Sequence, residues 1–194
     1  RSGNDYCLKY QGDRCHVALK SKSCFATYRG DLAPALMVLG AEVELAGPAG
    51  RRVLPLAELF RNDGAQHLTL EAGEILTAVL VPKTSAGTAG YAKIRIRDAI
   101  DFPLAGVAAA LSRDGDILTG IDIAITGIAS APLMVPTGGY AGQPWGEETI
   151  RQLIASVSKA AKAQNTTTVG TKYRRQVLLA AARRLLDDLW AQMS

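Results

Sequence analysis

Two apolar runs, residues 105–111 and 117–128, close on Asp114-Gly115. An Asp-Gly pair between apolar runs is a strong hairpin signal, because both residues tolerate the positive φ of a tight turn. The middle of the chain is thereby committed to antiparallel pairing. The same period of two recurs upstream. Residues 41–45, Ala-Glu-Val-Glu-Leu, alternate like a half-buried strand. Gly47-Pro48-Ala49-Gly50 supplies a turn, and residues 51–56 return as a second strand with Pro55 at its end or on an edge. Residues 74–82 form a strand rich in branched side chains. Residues 91–97 alternate strictly, with Ala92, Ile94 and Ile96 on one face and Tyr91, Lys93, Arg95 and Arg97 on the other. That strand offers positive charge on its polar side.

Helical signals flank these strands. Asp31 reads as an N-cap, with Pro34 in the first turn and Gly40 at the C′ position of a short helix. Residues 57–60 read as a brief helical turn. Residues 147–162 place acids first and lysines last, which suits the helix macrodipole. Within 171–192, Tyr173, Val177, Ala181, Leu185 and Leu189 recur every four residues as a stripe that packs on the sheet. Small, flexible residues at 84–90 make the best internal boundary. Strands followed by two helices predict an α+β layer.

Composition narrows the function classes. The 194 residues are 48% hydrophobic with a net charge of +4, which excludes a disordered chain. The most apolar stretches, residues 103–111 and 127–136, fall short of the roughly 20 residues a bilayer requires. No signal peptide is visible. The chain opens on Arg1 and reads as the interior of a longer polypeptide. Arg51-Arg52, Arg174-Arg175 and Arg183-Arg184 are scattered pairs that read as solvated charges. With aromatics at 6%, no nucleic-acid groove is expected. No phosphate loop, nucleophile elbow or HExxH is present, and two histidines supply no catalytic triad, so no catalytic residue is assigned.

All three cysteines, Cys7, Cys15 and Cys24, fall in the first 24 residues, within a polar and basic stretch that reads as a loop. Three arrangements are open: one disulfide with an odd thiol, three separate buried thiols, or a metal site of iron–sulfur or zinc type. His16 directly follows Cys15, and adjacent side chains diverge, so it is a poor fourth ligand; His67 lies far along the chain. The basic neighbours Lys9, Arg14, Lys20 and Lys22 favour thiolates and a negatively charged cluster.

Gly30-Asp31-Leu-Ala-Pro-Ala-Leu, Gly40-Ala-Glu-Val-Glu-Leu, Glu74-Ile-Leu, Val81-Pro82, Tyr91-Ala-Lys and Asp101-Phe-Pro-Leu-Ala stand in an order that resembles flavoprotein subunits of the xanthine oxidase family. The resemblance covers nearly all of residues 25–194. It implies the end of a FAD-binding (PCMH-type) domain at 1–83, with an iron–sulfur loop at 1–26. At 84–194 it implies an antiparallel sheet covered by helices, similar to the CO dehydrogenase flavoprotein C-terminal domain. One branch of the family carries an inserted loop holding an extra [4Fe-4S] cluster, and Cys7, Cys15 and Cys24 resemble three of its four ligands. By the same resemblance Asp31 hydrogen-bonds ribityl or ribose hydroxyls of FAD, and Ile75 and Leu76 pack against the isoalloxazine or present backbone groups to it. Lys93 is implied to stabilise the reduced flavin, with Arg95 as second candidate. The fourth cysteine and the main FAD-binding loops are expected upstream. The implied role is electron transfer in the cytoplasm, within a heteromeric complex. Electrons pass between a low-potential donor such as ferredoxin, this subunit, and partner subunits that hold [2Fe-2S] clusters and a molybdenum cofactor. In that branch the complex dehydroxylates 4-hydroxybenzoyl-CoA. The alternatives are the FAD subunit of a xanthine, nicotinate or CO dehydrogenase-type enzyme, and a zinc-stabilised assembly module.

Overall fold

Val43 and Leu45 are fully buried between the outward-lying Glu42 and Glu44, the alternation that residues 41–45 predict. In the computed structural model, which describes residues 24–83, 87–98, 100–163 and 169–193, they belong to β1 (Glu42–Gly47). This strand is the centre of a three-stranded antiparallel sheet with β2 (Gly50–Pro55) on one side and β3 (Ile75–Leu80) on the other. Pro48-Ala49 joins β1 to β2, with Gly47 opposite Gly50. A 3-10 turn, Leu56–Leu59, follows Pro55. Between β1 and β3 the register slips by one residue, leaving Thr77 as a bulge. The Thr77 hydroxyl donates to the Glu44 carboxylate at 2.6 Å and spans the irregularity.

The second sheet is an antiparallel meander of β4 (Thr88–Ile94), β5 (Ala105–Asp114), β6 (Ile117–Thr126) and β7 (Leu133–Val135). Asp114 pairs with Ile117 around Gly115, whose φ is 55°, so the predicted hairpin forms with glycine in the left-handed region. The three-residue β7 is not predicted, being too short to show an alternation. The alternation expected over 91–97 ends at Ile94. Beyond it Arg95 and Ile96 are exposed, and the chain loops out before the Leu104 amide returns to the Ile94 carbonyl.

Two helices, α1 (Glu147–Ala160) and α2 (Thr171–Gln192), cover one face of this meander. The i+4 stripe is corrected in part. Tyr173 is exposed, and the buried side of α2 is Arg174, Leu178, Ala181, Ala182, Leu185, Leu186 and Leu189. With 3.6 residues per turn, a strict four-residue repeat drifts off the contact line within a few turns. Arg174, read as a solvated charge, is fully buried, and its Nε donates to the Leu104 carbonyl. Burial, and next the Arg29 charge, lower its pKa to about 10. Helix α2 comes close to β4 because residue 90 is glycine: a Cβ there would lie 3.0 Å from Leu185 Cδ1 and 3.1 Å from Leu189 Cδ2.

The opposite face, where β5 and β6 carry the small residues Ala108 and Ala124, receives a six-residue helix that comes first in the chain (Leu32–Met37). Met37 and Val38 share one core cluster with Val43, Leu45 and Leu54 of the first sheet and Ala108 and Ala124 of the second. Ahead of that helix, residues 24–30 are strapped along residues 126–130. The Tyr28 amide donates to the Ala129 carbonyl, the Gly127 amide to the Tyr28 carbonyl, and the Thr126 hydroxyl to the Gly30 carbonyl. Among the described residues no helix is long and apolar enough to cross a membrane.

Candidate functional site

Asp31 stands at the start of the six-residue helix Leu32–Met37, but its carboxylate does not cap it. Its backbone is already helical (φ −89°, ψ −38°), and the side chain makes no cap bond. The carboxylate instead turns toward β4, where Tyr91 Oη donates to Oδ1 at 2.6 Å and Lys93 Nζ donates to Oδ2 at 2.7 Å. Alternation makes this possible, since residues 91 and 93 lie two apart on one face of a strand. Gly40, expected at the C′ position, sits one residue later, two beyond the C-cap Val38, with φ 68°.

The site is sculpted by small residues. A Cβ on Gly106, which pairs with Lys93 across β5, would fall 2.5 Å from the Tyr91 hydroxyl. Only glycine leaves the phenol room there. Lys93 Nζ also donates to the Asp101 carbonyl at 3.2 Å. An ammonium has three protons, and these two bonds leave one for another acceptor. The Asp101 carboxylate faces away, taking N–H bonds from Arg97 and Phe102. The Arg97 guanidinium, first among its causes, holds its pKa at about 2.

Burial first, and then the bond to Asp31, push the Tyr91 phenol well above its ordinary value. It is a donor at every physiological pH. Tyr28 is raised too, by burial and then by the Asp31 charge, and its ring meets Phe60 edge-on at 5.3 Å. Lys93 is the more enclosed partner of the ion pair, with its side chain 24% exposed against 43% for Asp31. Large apolar side chains stand out of the surface in the same segments: Leu32, next to Asp31, and Phe102, next to Asp101. Lys93 thus offers a proton to an acceptor, in segments that also carry exposed apolar side chains.

Among the described residues, the other sequence-predicted positions share no hydrogen bond with Asp31 or Lys93. Ile75 and Leu76 are exposed on β3, immediately before the Thr77 bulge. Arg95 lies beyond the end of β4 and is exposed. Cys24 is buried, its carbonyl fixed by the Gly64 amide and the Ser130 hydroxyl, and its Sγ accepts from the Ala26 amide at 3.5 Å. Cys7 and Cys15 lie outside the described residues, and among the described residues no group of three metal-ligating side chains occurs. Sequence reasoning missed Tyr91 as the partner of Asp31, although its place on the face of Lys93 was the available signal. It had no signal for the Asp101 carbonyl, because any residue can supply one.

Residues 89–189 match the CO dehydrogenase flavoprotein C-terminal domain. The chain belongs to this family. Residues 19–84 match the FAD binding domain in molybdopterin dehydrogenase. The flavoprotein segment is 35% identical to the carbon monoxide dehydrogenase medium chain of Afipia carboxidovorans over 112 residues, which are 57% of this chain and 38% of that one. It is 33% identical to the aldehyde oxidoreductase FAD-binding subunit PaoB of Escherichia coli over 147 residues, 74% of this chain and 40% of that one. The chain thus spans about two fifths of the length of these relatives. Reconstituted CO dehydrogenase from Oligotropha carboxidovorans superposes with a TM-score of 0.74 at 25% identity, covering 83% of this chain and 56% of that one. The α+β arrangement of antiparallel sheets with helices is the architecture of that flavoprotein fold.

Proposed function

We propose that this flavoprotein segment works in the FAD subunit of a molybdenum hydroxylase-family enzyme, carrying electrons through FAD. The observation that carries the reading is the Asp31–Lys93 ion pair. It bonds a residue of the segment matching the FAD binding domain to a residue of the segment matching the C-terminal domain, at a surface that keeps one lysine proton free. FAD, when bound, supplies the group that takes up and releases electrons. Lys93 holds a positive charge for the negative charge that gathers on a flavin as it is reduced. Asp31 fixes that ammonium and keeps lone pairs for ribityl or ribose hydroxyls. Ile75 and Leu76 offer an apolar surface to the ring and exclude water. The full-length subunit that contains this segment should take up FAD in one equivalent, with Lys93→Gln weakening binding about tenfold, as befits a lost charge-assisted contact of about 1.4 kcal/mol. A full-length wild-type subunit that takes up no flavin would sink the reading.

The finer reading places the chain in the beta subunit of 4-hydroxybenzoyl-CoA reductase, with residues 1–83 and 84–194 as its two domains and Cys7, Cys15 and Cys24 as three of the four ligands of a [4Fe-4S] cluster. Electrons then run from a ferredoxin-like donor in the cytoplasm, by way of that cluster and FAD, to [2Fe-2S] clusters and a molybdenum cofactor in partner subunits. What supports it is the crowding of all three cysteines ahead of residue 25 and the rigid backbone frame of Cys24. A ligand on a fixed backbone with an N–H···S bond suits a cluster whose potential depends on such contacts. Anaerobically prepared protein should contain iron and sulfide together, and Cys24→Ser should lower both. Stoichiometric zinc without iron would select an assembly module instead.

A further inference from the structure

We propose that Tyr91 is a positioning residue: through Asp31 it sets how much of the Lys93 charge reaches the flavin, and so tunes the reduction potential of bound FAD. The inference rests on the FAD reading above. Lys93 stands between two claimants, the Asp31 carboxylate and the ligand. Each oxygen of Asp31 has one donor, Tyr91 Oη on Oδ1 and Lys93 Nζ on Oδ2. The phenol disperses negative charge from the carboxylate and locks its rotation. Without that hydroxyl, Oδ1 loses its donor, and the carboxylate can turn both oxygens toward the ammonium. Asp31 then neutralises more of the Lys93 charge, and a flavin gaining electrons is stabilised less.

Two features show that the arrangement is built rather than incidental. The phenol is held as a permanent donor, because burial and Asp31 itself both oppose its ionisation. Gly106 leaves the space that the Tyr91 hydroxyl fills, since a Cβ there would come within 2.5 Å of it. Tyr91→Phe removes one oxygen and keeps the ring in that space, so the variant isolates the hydrogen bond from the packing.

The experiment is a dye-coupled equilibrium titration of the FAD potential in the flavin-loaded protein, with no substrate present. Tyr91→Phe is expected to shift the balance between oxidised and reduced flavin about tenfold toward oxidised, a fall of about 30 mV for a two-electron couple. Asp31→Asn, which removes the competing charge, should move the potential the other way. In a Lys93→Gln background, Tyr91→Phe should shift the balance less than threefold, because the route through the ammonium is gone. Affinity for oxidised FAD should change less than threefold in Tyr91→Phe. An unchanged potential in Tyr91→Phe, or an equal fall in the Lys93→Gln background, overturns this inference and leaves the FAD reading standing. Falls of like sign in Tyr91→Phe and Asp31→Asn also overturn it, since they would report a loosened site. A full-length wild-type subunit without bound flavin overturns both.

Discussion

Asp101 shows how one residue serves two neighbours through different groups. Its backbone carbonyl accepts from Lys93, while its carboxylate takes bonds from Arg97 and Phe102. The Arg97 contacts depress the Asp101 pKa from 3.8 to about 2. A depressed carboxylate contributes stability that is present above its unfolded pKa and is lost as pH falls through its folded one. The bonds from Arg97 and Phe102 to the Asp101 carboxylate should therefore persist at pH 4 and be lost as pH approaches 2. A carbon-detected NMR titration of the Asp101 carboxyl should show an apparent pKa of about 2, and Arg97→Ala should return it to the ordinary range. Arg174 makes the complementary point, because a guanidinium can occupy a core position when a carbonyl such as that of Leu104 receives its N–H.

Among the elements, the contact of β4 with α2 depends on a missing side chain. Leu185 and Leu189 fill the volume that a Cβ on Gly90 would need. Overpacking of this kind costs about 1–3 kcal/mol. Gly90→Val should accordingly lower the unfolding free energy by that amount and the urea midpoint in proportion, with the slope m unchanged. Valine has the higher strand propensity of the two residues, so a stabilised variant would show that propensity outweighs the helix contact. The Thr77 bulge is a second element-scale device. It follows Ile75 and Leu76 in an edge strand whose apolar side chains, Val79 and Leu80 included, stay exposed although β3 pairs with β1.

Across the whole molecule, two sheets share one core. Leu45 of β1 lies in the same buried cluster as Ala108 of β5 and Ala124 of β6, with Met37 and Val38 between them. The two segments matched to separate families therefore meet on apolar surface as well as through the Asp31–Lys93 bond. Leu45→Ala should cost about 2–5 kcal/mol. Trp145 and Trp190, the two tryptophans, stack at 4.5 Å in the helix layer, with the Arg113 guanidinium 5.0 Å from the Trp190 ring. Their fluorescence reports on the layer far from Leu45. If the core is shared, fluorescence and far-ultraviolet circular dichroism should move together in Leu45→Ala, to one common lower midpoint. Separate midpoints would show that the sheets unfold independently.

The chain's local chemistry determined its local shape. Asp114-Gly115 dictated the hairpin, the alternation of Val43 and Leu45 dictated β1, and the acid-to-lysine gradient marked the helix at 147–160, because each signal acts between residues close in sequence. The fold class followed from the order of those elements. Asp31 and Lys93 could be singled out, but each carries an ordinary local role as well, a cap for one and an exposed charge for the other. Only the tertiary structure turned Asp31 away from its helix, 60 residues along the chain to Tyr91 and 62 to Lys93, and buried Arg174 against a backbone carbonyl. Such contacts depend on how sheet and helix stack in space, and no pattern within one element encodes which distant carboxylate, hydroxyl or carbonyl will arrive there.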